Sequence, residues 1–392
     1  EGITAIMVTH DIPESISMSD EVIVLSTPIA TTMNSAKGIT IEWTYVEGAQ
    51  KYIVYQRVYN KTTKKYSGWK AIKTTTDLTY TDTTVKLGTK YSYTVKAVTG
   101  SVKSGIKATS GLTYNVTPTV KVAVASNGIK VSWSTAANAT GYRVYSSTYN
   151  TKTKKWSGWT NRGTTKANAT SWVDKKAKSG TKYRYTVKAM NDKVASTFNK
   201  SGAATLYLAQ PTVKIANNAS GVKVAWNKIA GATGYTIYRA EYKNGKWSGW
   251  KNMGTIKKNS TVSWVDKSAN SGTQYRYTVR AINGSVKSTY KASNTLLYLA
   301  QPTVTVKAVS NGINVAWSQC EGATGYTVYR SEYNTKTKKW SSWKSRGTAK
   351  ATKSNWTDTK TTKGVIYKYT VRSVNADTGA KSSYVASKNV KR

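Results

Sequence analysis

The tryptophans of this chain recur in register about every ninety residues, a spacing typical of tandem globular units rather than of shorter solenoid repeats. All fourteen fall into four columns: Trp43, Trp133, Trp226 and Trp317; Trp69, Trp159, Trp250 and Trp343; Trp156, Trp247 and Trp340; and Trp172, Trp264 and Trp356. Tyr66 and Tyr80 occupy the last two columns in the first copy. We therefore predict four units, each with its own core: residues 28–115 (unit 1), 116–208 (unit 2), 209–300 (unit 3) and 301–392 (unit 4), preceded by a leader of residues 1–27.

Apolar residues alternate with period two inside each unit, whereas helical spacing is rare. In unit 2 the alternation runs through 120–124, 129–133 and 183–189, and Gly and Asn-rich turns separate these runs. The pattern predicts an all-β fold in which seven short strands form a two-sheet sandwich. Proline at each junction indicates short, semi-rigid connections, so the four sandwiches should form an extended array.

Three motifs of unit 2 carry a family resemblance: Trp133 at a strand end, the Gly-Tyr-Arg-Val-Tyr strand at 141–145, and Gly-Thr-Lys-Tyr-Arg-Tyr-Thr-Val-Lys-Ala at 180–189. Residues 28–392 resemble four tandem fibronectin type III repeats of bacterial secreted and surface proteins. The resemblance implies immunoglobulin-like sandwiches, and it implies structural roles for Trp43, Trp133, Trp226 and Trp317 and for the tyrosine-corner residues Tyr91, Tyr183, Tyr275 and Tyr367. The fourth copy departs from the spacing, with Lys363-Gly-Val-Ile-Tyr367 before its corner tyrosine.

The formal net charge is +43, and it belongs to the repeats: units 1 to 4 carry +9, +14, +12 and +13, against −5 for the leader. Such a field attracts polyanions, among them acidic polysaccharides, teichoic acid-like wall polymers, nucleic acid and anionic membrane surfaces. A solvated, self-repelling surface that keeps a tandem array soluble is an equally open interpretation. Nucleic acid is the weaker partner because the lysines are spread evenly and no recognised nucleic-acid motif occurs.

Alternation also predicts an outward face on each unit, with basic residues opposite the inward tyrosine row. Residues three apart on a strand face opposite sides, so either Trp156 or Trp159 should pack inward and the other should share a face with Tyr145. The predicted ligand face could stack on sugar rings and bind anionic groups. The alternative is that these aromatics pack under lysine stems and bind nothing. The candidate residues are Trp69, Tyr145, Trp156, Trp159, Arg184, Lys188, Tyr238, Trp247, Trp250, Arg276, Arg280, Tyr329, Trp340 and Trp343.

Residues suited to catalysis are scarce. His10 is the single histidine and lies outside the repeats, and Cys320 is the single cysteine, so no intrachain disulfide can form. The only acids that recur in register, Asp82, Asp174, Asp266 and Asp358, each follow a predicted strand and precede a turn. We therefore predict no enzyme activity, no cofactor and no metal site.

The leader has a different pattern, a strand at 3–8, a short helix at 13–19 and a second strand at 22–25. It resembles the histidine-switch segment of ABC transporter ATPases, with Val8-Thr-His-Asp11 as the switch loop, and the resemblance implies that His10 would sense a γ-phosphate. No phosphate-binding loop precedes it, so we predict no nucleotide site. The chain begins at Glu1 and not at methionine, which we interpret as a fragment or processed product, and an accidental fusion is the favoured origin of the leader.

The leading functional hypothesis is a non-enzymatic spacer or adhesion protein at a bacterial surface or outside the cell, which contacts anionic glycans or cell-wall polymers and belongs to a larger polypeptide. The alternative is a truncated ABC transporter ATP-binding component fused to accessory β-sandwich repeats. The sequence contains no apolar run of ~18 residues, so it predicts no membrane span. No signal peptide is visible in it.

Overall fold

The computed structural model describes residues 25–191 and 194–392, and these residues contain strands and turns but no helix. The predicted strand and helix of the leader, and His10 with them, lie outside the described residues. Leu25, the last residue of the second predicted leader strand, is described, is not part of a strand, and is buried against unit 1 near Gly48.

The strands fall into four sets, one within each predicted unit. Unit 1 has β1 (Ala30–Ser35), β2 (Gly38–Trp43), β3 (Lys51–Asn60), β4 (Lys65–Tyr66), β5 (Lys70–Thr75), β6 (Thr79–Asp82), β7 (Lys90–Thr99), β8 (Val102–Lys103) and β9 (Leu112–Thr113). Unit 2 has β10 (Val120–Ala125), β11 (Gly128–Trp133), β12 (Gly141–Asn150), β13 (Lys155–Trp156), β14 (Thr160–Lys166), β15 (Ser171–Asp174), β16 (Lys182–Asn191), β17 (Val194–Ala195) and β18 (Ala203–Leu206).

The second half of the chain repeats this order. Unit 3 has β19 (Val213–Asn218), β20 (Gly221–Trp226), β21 (Gly234–Lys243), β22 (Lys246–Trp247), β23 (Lys251–Ile256), β24 (Ser263–Asp266), β25 (Gln274–Asn283), β26 (Val286–Lys287) and β27 (Leu296–Leu297). Unit 4 has β28 (Val304–Val309), β29 (Gly312–Trp317), β30 (Gly325–Asn334), β31 (Lys339–Trp340), β32 (Lys344–Lys350), β33 (Asn355–Asp358), β34 (Ile366–Val374) and β35 (Val390–Lys391).

Each unit is a sandwich of a three-stranded sheet and a larger antiparallel sheet. In unit 2 the small sheet has the order β10-β11-β15, and the large sheet has the order β13-β12-β16-β17, with β14 also paired to β12 and β18 to β16. The all-β, repeated two-sheet architecture predicted from the alternation is therefore confirmed. The number of strands per unit is higher than the seven predicted, because the short hairpin strands such as β13 and β17 lack a full period of alternation.

The core of each unit lies between its sheets. In unit 2, Trp133 at the end of β11 packs on Tyr142 of β12 with ring centroids 5.5 Å apart, and the Tyr142 hydroxyl accepts a hydrogen bond from the Ala136 amide. The same indole-on-phenol pair recurs in the other units as Trp43 on Tyr52, Trp226 on Tyr235 and Trp317 on Tyr326. These four tryptophans are buried, which fits the structural role that the resemblance implied.

The four corner tyrosines share one arrangement. The hydroxyls of Tyr91, Tyr183, Tyr275 and Tyr367 accept hydrogen bonds at 2.8–2.9 Å from the backbone amides five residues upstream. Unit 4 follows the others despite its altered spacing, because Tyr367 bonds to the Thr362 amide across the turn that contains Gly364.

The hydrophobic core is continuous across units 1 and 2, whereas units 3 and 4 have separate cores. Tyr114, fully buried, joins the first two: its hydroxyl accepts a hydrogen bond from the Ala137 amide of unit 2 and donates one to the Ser35 carbonyl of unit 1. The expectation of four independent cores is therefore wrong for the first pair of units. The reason is that Tyr114 lies in the linker, about which the tryptophan spacing used for that expectation carries no information.

The two later junctions share a serine clamp. Ser179 Oγ accepts a hydrogen bond from the Ala209 amide of the linker and donates one to the Ala230 carbonyl of unit 3. Ser271 makes the equivalent pair with Ala300 and Glu321 at the junction of units 3 and 4. Glycines pack backbone to backbone beside each clamp, and a Cβ on Gly231, whose φ is +80°, would lie 2.3 Å from the Gly180 Cα.

We expect Gly231→Ala to loosen the junction between units 2 and 3. An L-residue in this left-handed conformation costs about 1–2 kcal/mol, and the new methyl group would contact backbone atoms that cannot rotate away. Small-angle X-ray scattering should show a broader distance distribution for the variant. Gly245→Ala is the matched control, since Gly245 also has a left-handed φ of +75° but nothing lies within 4 Å of its Cβ position. An unchanged distribution for Gly231→Ala would contradict the clamp.

Candidate functional site

The basic and aromatic residues of unit 2 meet on the outer face of the large sheet. The guanidinium carbon of Arg184, on β16, lies 4.8 Å from the ring centroids of both Trp156 and Trp159. Both indoles therefore lie on one face, and the prediction that one of them packs inward is wrong. Strand β13 ends at Trp156 and β14 begins at Thr160, so residues 157–159 are not extended strand and the alternation rule does not apply to them.

The contacts of this face continue along β16 in both directions. Lys182 Nζ lies 5.4 Å from the Tyr149 centroid and 5.9 Å from the Trp156 centroid. Lys188 Nζ lies 5.9 Å from the Tyr145 centroid and 4.7 Å from that of Phe198, which contacts the edge of Trp159. Cations and rings thus alternate in one row. We call this row, and its counterparts in the other units, the aromatic stripe.

Units 3 and 4 carry the same stripe. In unit 3 Arg276 lies 4.2 Å from Trp247, and Arg280 lies 5.6 Å from Tyr290, which contacts Trp250. In unit 4 Lys368 lies 4.2 Å from Trp340 and 5.5 Å from Trp343, and Arg372 lies 5.5 Å from Tyr384, which contacts Trp343. The predicted site residues Tyr238 and Tyr329 lie half-buried on β21 and β30 and make no ring contact with any described residue.

Unit 1 supplies its central cation from a different strand. Arg57 of β3 lies 4.4 Å from Tyr66 and 4.5 Å from Trp69, whereas Arg184 of unit 2 comes from the neighbouring strand β16. Arg57 pairs across the strands with Ser92, and Arg184 pairs with Ser147 in the same register position. The cation and the serine have exchanged strands, yet a guanidinium lies between the two rings in both units.

Sequence reasoning missed several members of the stripe. Phe198, Tyr290 and Tyr384 lie in loops where no strand alternation marks them, although they recur in register in units 2 to 4. Arg57 was missed because the cations of the face were sought only on the strand that carries the inward tyrosine row. An aromatic residue two positions after a recurring serine, as in Ser196, Ser288 and Ser382, is the signal that would have identified the three loop residues.

The stripe displays positive charge and ring edges more than free ring faces. Arg184 covers a face of Trp156 and a face of Trp159, and the indoles are half-buried except Trp250, which is 37% exposed. Tyr290 and Tyr384 are more open, at 46% and 48%. The covered faces agree with the alternative in which the aromatics pack with the chain's own cations, while the open rings and the charges remain available to a ligand.

We expect Arg184→Ser to loosen the hairpin that carries Trp156 and Trp159, because a cation between two rings contributes about 0.5–2 kcal/mol. Adding Ser147→Arg should restore the contact, since it recreates the arrangement of Arg57 in unit 1. Hydrogen exchange of the amides at 149–160 would report both effects. Equal exchange in the single variant and the double variant would show that the position of the cation is unimportant.

The recurring aspartates are core residues rather than surface ones. Asp174 ends β15 of the small sheet and is 1% exposed, and its carboxylate accepts hydrogen bonds from Tyr185 of the large sheet and from Arg162. Asp82, Asp266 and Asp358 accept the same bond from Tyr93, Tyr277 and Tyr369. The second partner varies among the other units: Gln56 in unit 1, Arg239 in unit 3 and Arg330 in unit 4.

Hydrogen bonding decides the charge state of Asp266. Burial opposes the ionised form, but hydrogen bonds from Ser268, Arg239 and Tyr277 outweigh it and hold the pKa of the carboxyl below its usual range. Burial, with the adjacent carboxylate, raises the pKa of Tyr277, so the phenol stays protonated and donates. The neutral Tyr277 phenol and the Arg239 guanidinium thus both donate to one buried carboxylate, an arrangement that serves the fold rather than catalysis.

Unit 3 should lose stability in acid through this network. A carboxyl whose folded-state pKa is depressed contributes stability above its unfolded-state pKa of about 3.9, and that contribution is lost as pH falls through the lower folded-state pKa. Arg239→Gln, which copies Gln56 of unit 1, should cost about 1–3 kcal/mol at neutral pH and flatten the acid dependence. Hydrogen exchange of the β24 and β25 amides, corrected for intrinsic rates, measures the local stability and its pH dependence. An identical pH dependence in variant and wild type would contradict the role of Arg239.

Other chemistry is sparse in the described part of the chain. Residues 25–191 and 194–392 contain no group of three His, Cys, Asp or Glu side chains that could hold a metal ion. Cys320 is half-buried, and burial raises the pKa of its thiol. Within the same ranges no helix is long and apolar enough to cross a membrane.

Comparison with known proteins gives a partial match. No protein-family model matches the chain. Exoglucanase B of Cellulomonas fimi is 27% identical over 315 residues, which cover 74% of this chain and 26% of that protein, so the chain spans about a quarter of this relative.

Solved structures of β-sandwich proteins also match. The FN1–FN3 domains of chicken CNTN1 are 15% identical with a TM-score of 0.22, over 70% of this chain and 97% of that one. Two fibronectin type III domains of chicken tenascin are 15% identical with a TM-score of 0.26, over 46% of this chain and 99% of that one. The chicken interferon gamma receptor alpha chain is 13% identical with a TM-score of 0.28, over 46% of this chain and 97% of that one. These TM-scores are low, so the fold assignment depends on the strand pairing described above.

Proposed function

We propose that this chain is a non-enzymatic, extracellular spacer and attachment module, and that its aromatic stripes contact anionic glycans or cell-wall polymers. The observation that carries the proposal is the exchange of Arg57 and Arg184 between strands. In both units a guanidinium lies between two rings on the same outer face, so positive charge and aromatic rings stay together where a ligand can reach them.

The charge distribution supports an anionic ligand. Each unit carries a net charge between +9 and +14, and no stripe cation in units 2 to 4 forms an ion pair with a described carboxylate. Four weak stripes joined in one chain bind a repetitive polymer more tightly than one stripe does, because the second contact becomes intramolecular after the first. The similarity to part of an exoglucanase fits a protein that works among polysaccharides.

The proposal predicts salt-resistant binding that depends on the tryptophans. The full chain should bind an anionic polysaccharide at low salt and retain binding at ~0.5 M salt, where exposed charge pairs are screened. Changing Trp159, Trp250 and Trp343 together to alanine should weaken the high-salt binding by about tenfold or more, which requires only about 1.4 kcal/mol in total from the three rings.

A second set of variants distinguishes binding by the stripe from attraction to the overall positive charge of the chain. Lys121, Lys214 and Lys307 are exposed on the small sheets, and changing all three to glutamine should weaken binding at low salt only. Circular dichroism would establish that each variant is folded. Binding that ~0.5 M salt abolishes in wild type and that ignores the tryptophan changes would leave a basic spacer without a ligand face.

A further inference from the structure

Unit 2 contains a basic groove that is separate from the outer face of its stripe. The groove has a volume of about 640 Å³ and lies between β12, the β13 hairpin strand and the turn that follows β15. Four cations line it: Lys155, Arg162, Lys176 and Lys178. Tyr149 and Trp156, whose centroids are 5.2 Å apart, form an aromatic wall that the groove shares with the stripe.

Asp174 neutralises Arg162, and no described carboxylate pairs with the three lysines. Asp174 is 1% exposed, and its oxygens already accept hydrogen bonds from Arg162, Tyr185 and the Lys176 amide. The three lysines are exposed and form no ion pair with a described residue. The Ser157 hydroxyl already donates to the Gly158 carbonyl, and the Thr148 hydroxyl donates to Ser157 Oγ. The hydroxyl groups of Thr153, Thr160 and Thr181 also line the groove and can donate to anionic oxygens.

Unit 3 has the same fold but a different set of residues at this place. Where unit 2 has Lys176 and Lys178, unit 3 has Ser268 and Asn270. Where unit 2 has Thr148, unit 3 has Glu241, which pairs with Arg239 and Lys243. Unit 4 keeps three of the four cations, as Lys339, Arg346 and Lys360, but has Glu332 in place of Thr148, and unit 1 keeps only Lys65 and Lys86. All four cations together, with no carboxylate at the Thr148 position, occur in unit 2.

We propose that this groove is an anion-binding subsite, which holds a sulfate or phosphate substituent of a glycan while a sugar ring contacts Tyr149 and Trp156. The lysines neutralise the substituent, and the hydroxyls fix its orientation through charge-assisted hydrogen bonds. This inference rests on the proposed function, because it assigns to unit 2 the recognition of the charged group on the same polymer. Unit 3, which has Ser268 and Asn270 in place of Lys176 and Lys178, then supplies contacts that add avidity without this selectivity.

The test measures binding of a sulfated tetrasaccharide, of a phosphorylated glycan fragment and of their uncharged counterparts to the full chain by isothermal titration calorimetry. Lys176→Ser with Lys178→Asn introduces the residues of unit 3 at exposed positions, so the fold should be retained. Its Kd for the charged ligands should rise at least about tenfold. Thr148→Glu, which copies Glu241, should produce a similar loss by like-charge repulsion.

The matched control is Lys121→Ser with Lys130→Asn, which removes the same charge from the small sheet of the same unit. We expect its Kd to change by less than about threefold at 0.15 M salt, since neither Lys121 nor Lys130 lines the groove and exposed charges are screened by salt. Hydrogen exchange should also show that the ligand protects residues 148–160 and 174–181 in the wild type and not in the Lys176/Lys178 variant.

Each outcome is decisive. Equal affinities for the Lys176/Lys178 variant and its control, together with loss of binding in the Trp159/Trp250/Trp343 variant, would overturn the groove and leave the proposed function standing. Tighter binding of a single-stranded oligonucleotide than of either glycan would assign the groove to nucleic acid and overturn the glycan assignment. No binding of any charged glycan by the wild type would overturn both proposals.

Discussion

A buried carboxylate ties the two sheets of every unit together, and the rest of the architecture depends on it. The aspartate ends the last strand of the small sheet, and a tyrosine hydroxyl from the longest strand of the large sheet donates to it, as in Asp174 and Tyr185. A buried anion without partners would be costly, so this bond holds the two sheets in one relative position. That position in turn fixes the outer face of the large sheet, where the stripe lies.

Compensating exchanges show which interactions persist from unit to unit. The carboxylate receives its second donor from β14 in unit 2, from β21 in unit 3 and as a neutral amide from β3 in unit 1. The central stripe cation likewise comes from β3 in unit 1 and from β16 in unit 2. In both cases the interaction persists while the residue that makes it changes place. The physical requirement is thus the contact, and the strand that supplies it is free to vary.

The junctions determine how the stripes could act on one polymer. Serine clamps and glycine contacts join units 2, 3 and 4, and Tyr114 makes the cores of units 1 and 2 continuous. Under the proposed function, a semi-rigid array would keep the spacing of the four stripes, which would favour a ligand whose own charges repeat. The proposed subsite would add selectivity at unit 2, because its residues differ from those of unit 3 while the surrounding strands do not.

The sequence by itself determined the number of units, the all-β class and the inward rows, because period-two alternation and a repeat of about ninety residues reflect burial that is local to each strand. Only the tertiary structure decided that Trp156 and Trp159 share a face, that Phe198, Tyr290 and Tyr384 join the stripe, and that Asp174 bonds across the two sheets. These residues lie in turns and loops or pair with distant strands, where alternation carries no information. Their positions follow from how the sheets pack, and packing depends on contacts between residues far apart in the chain.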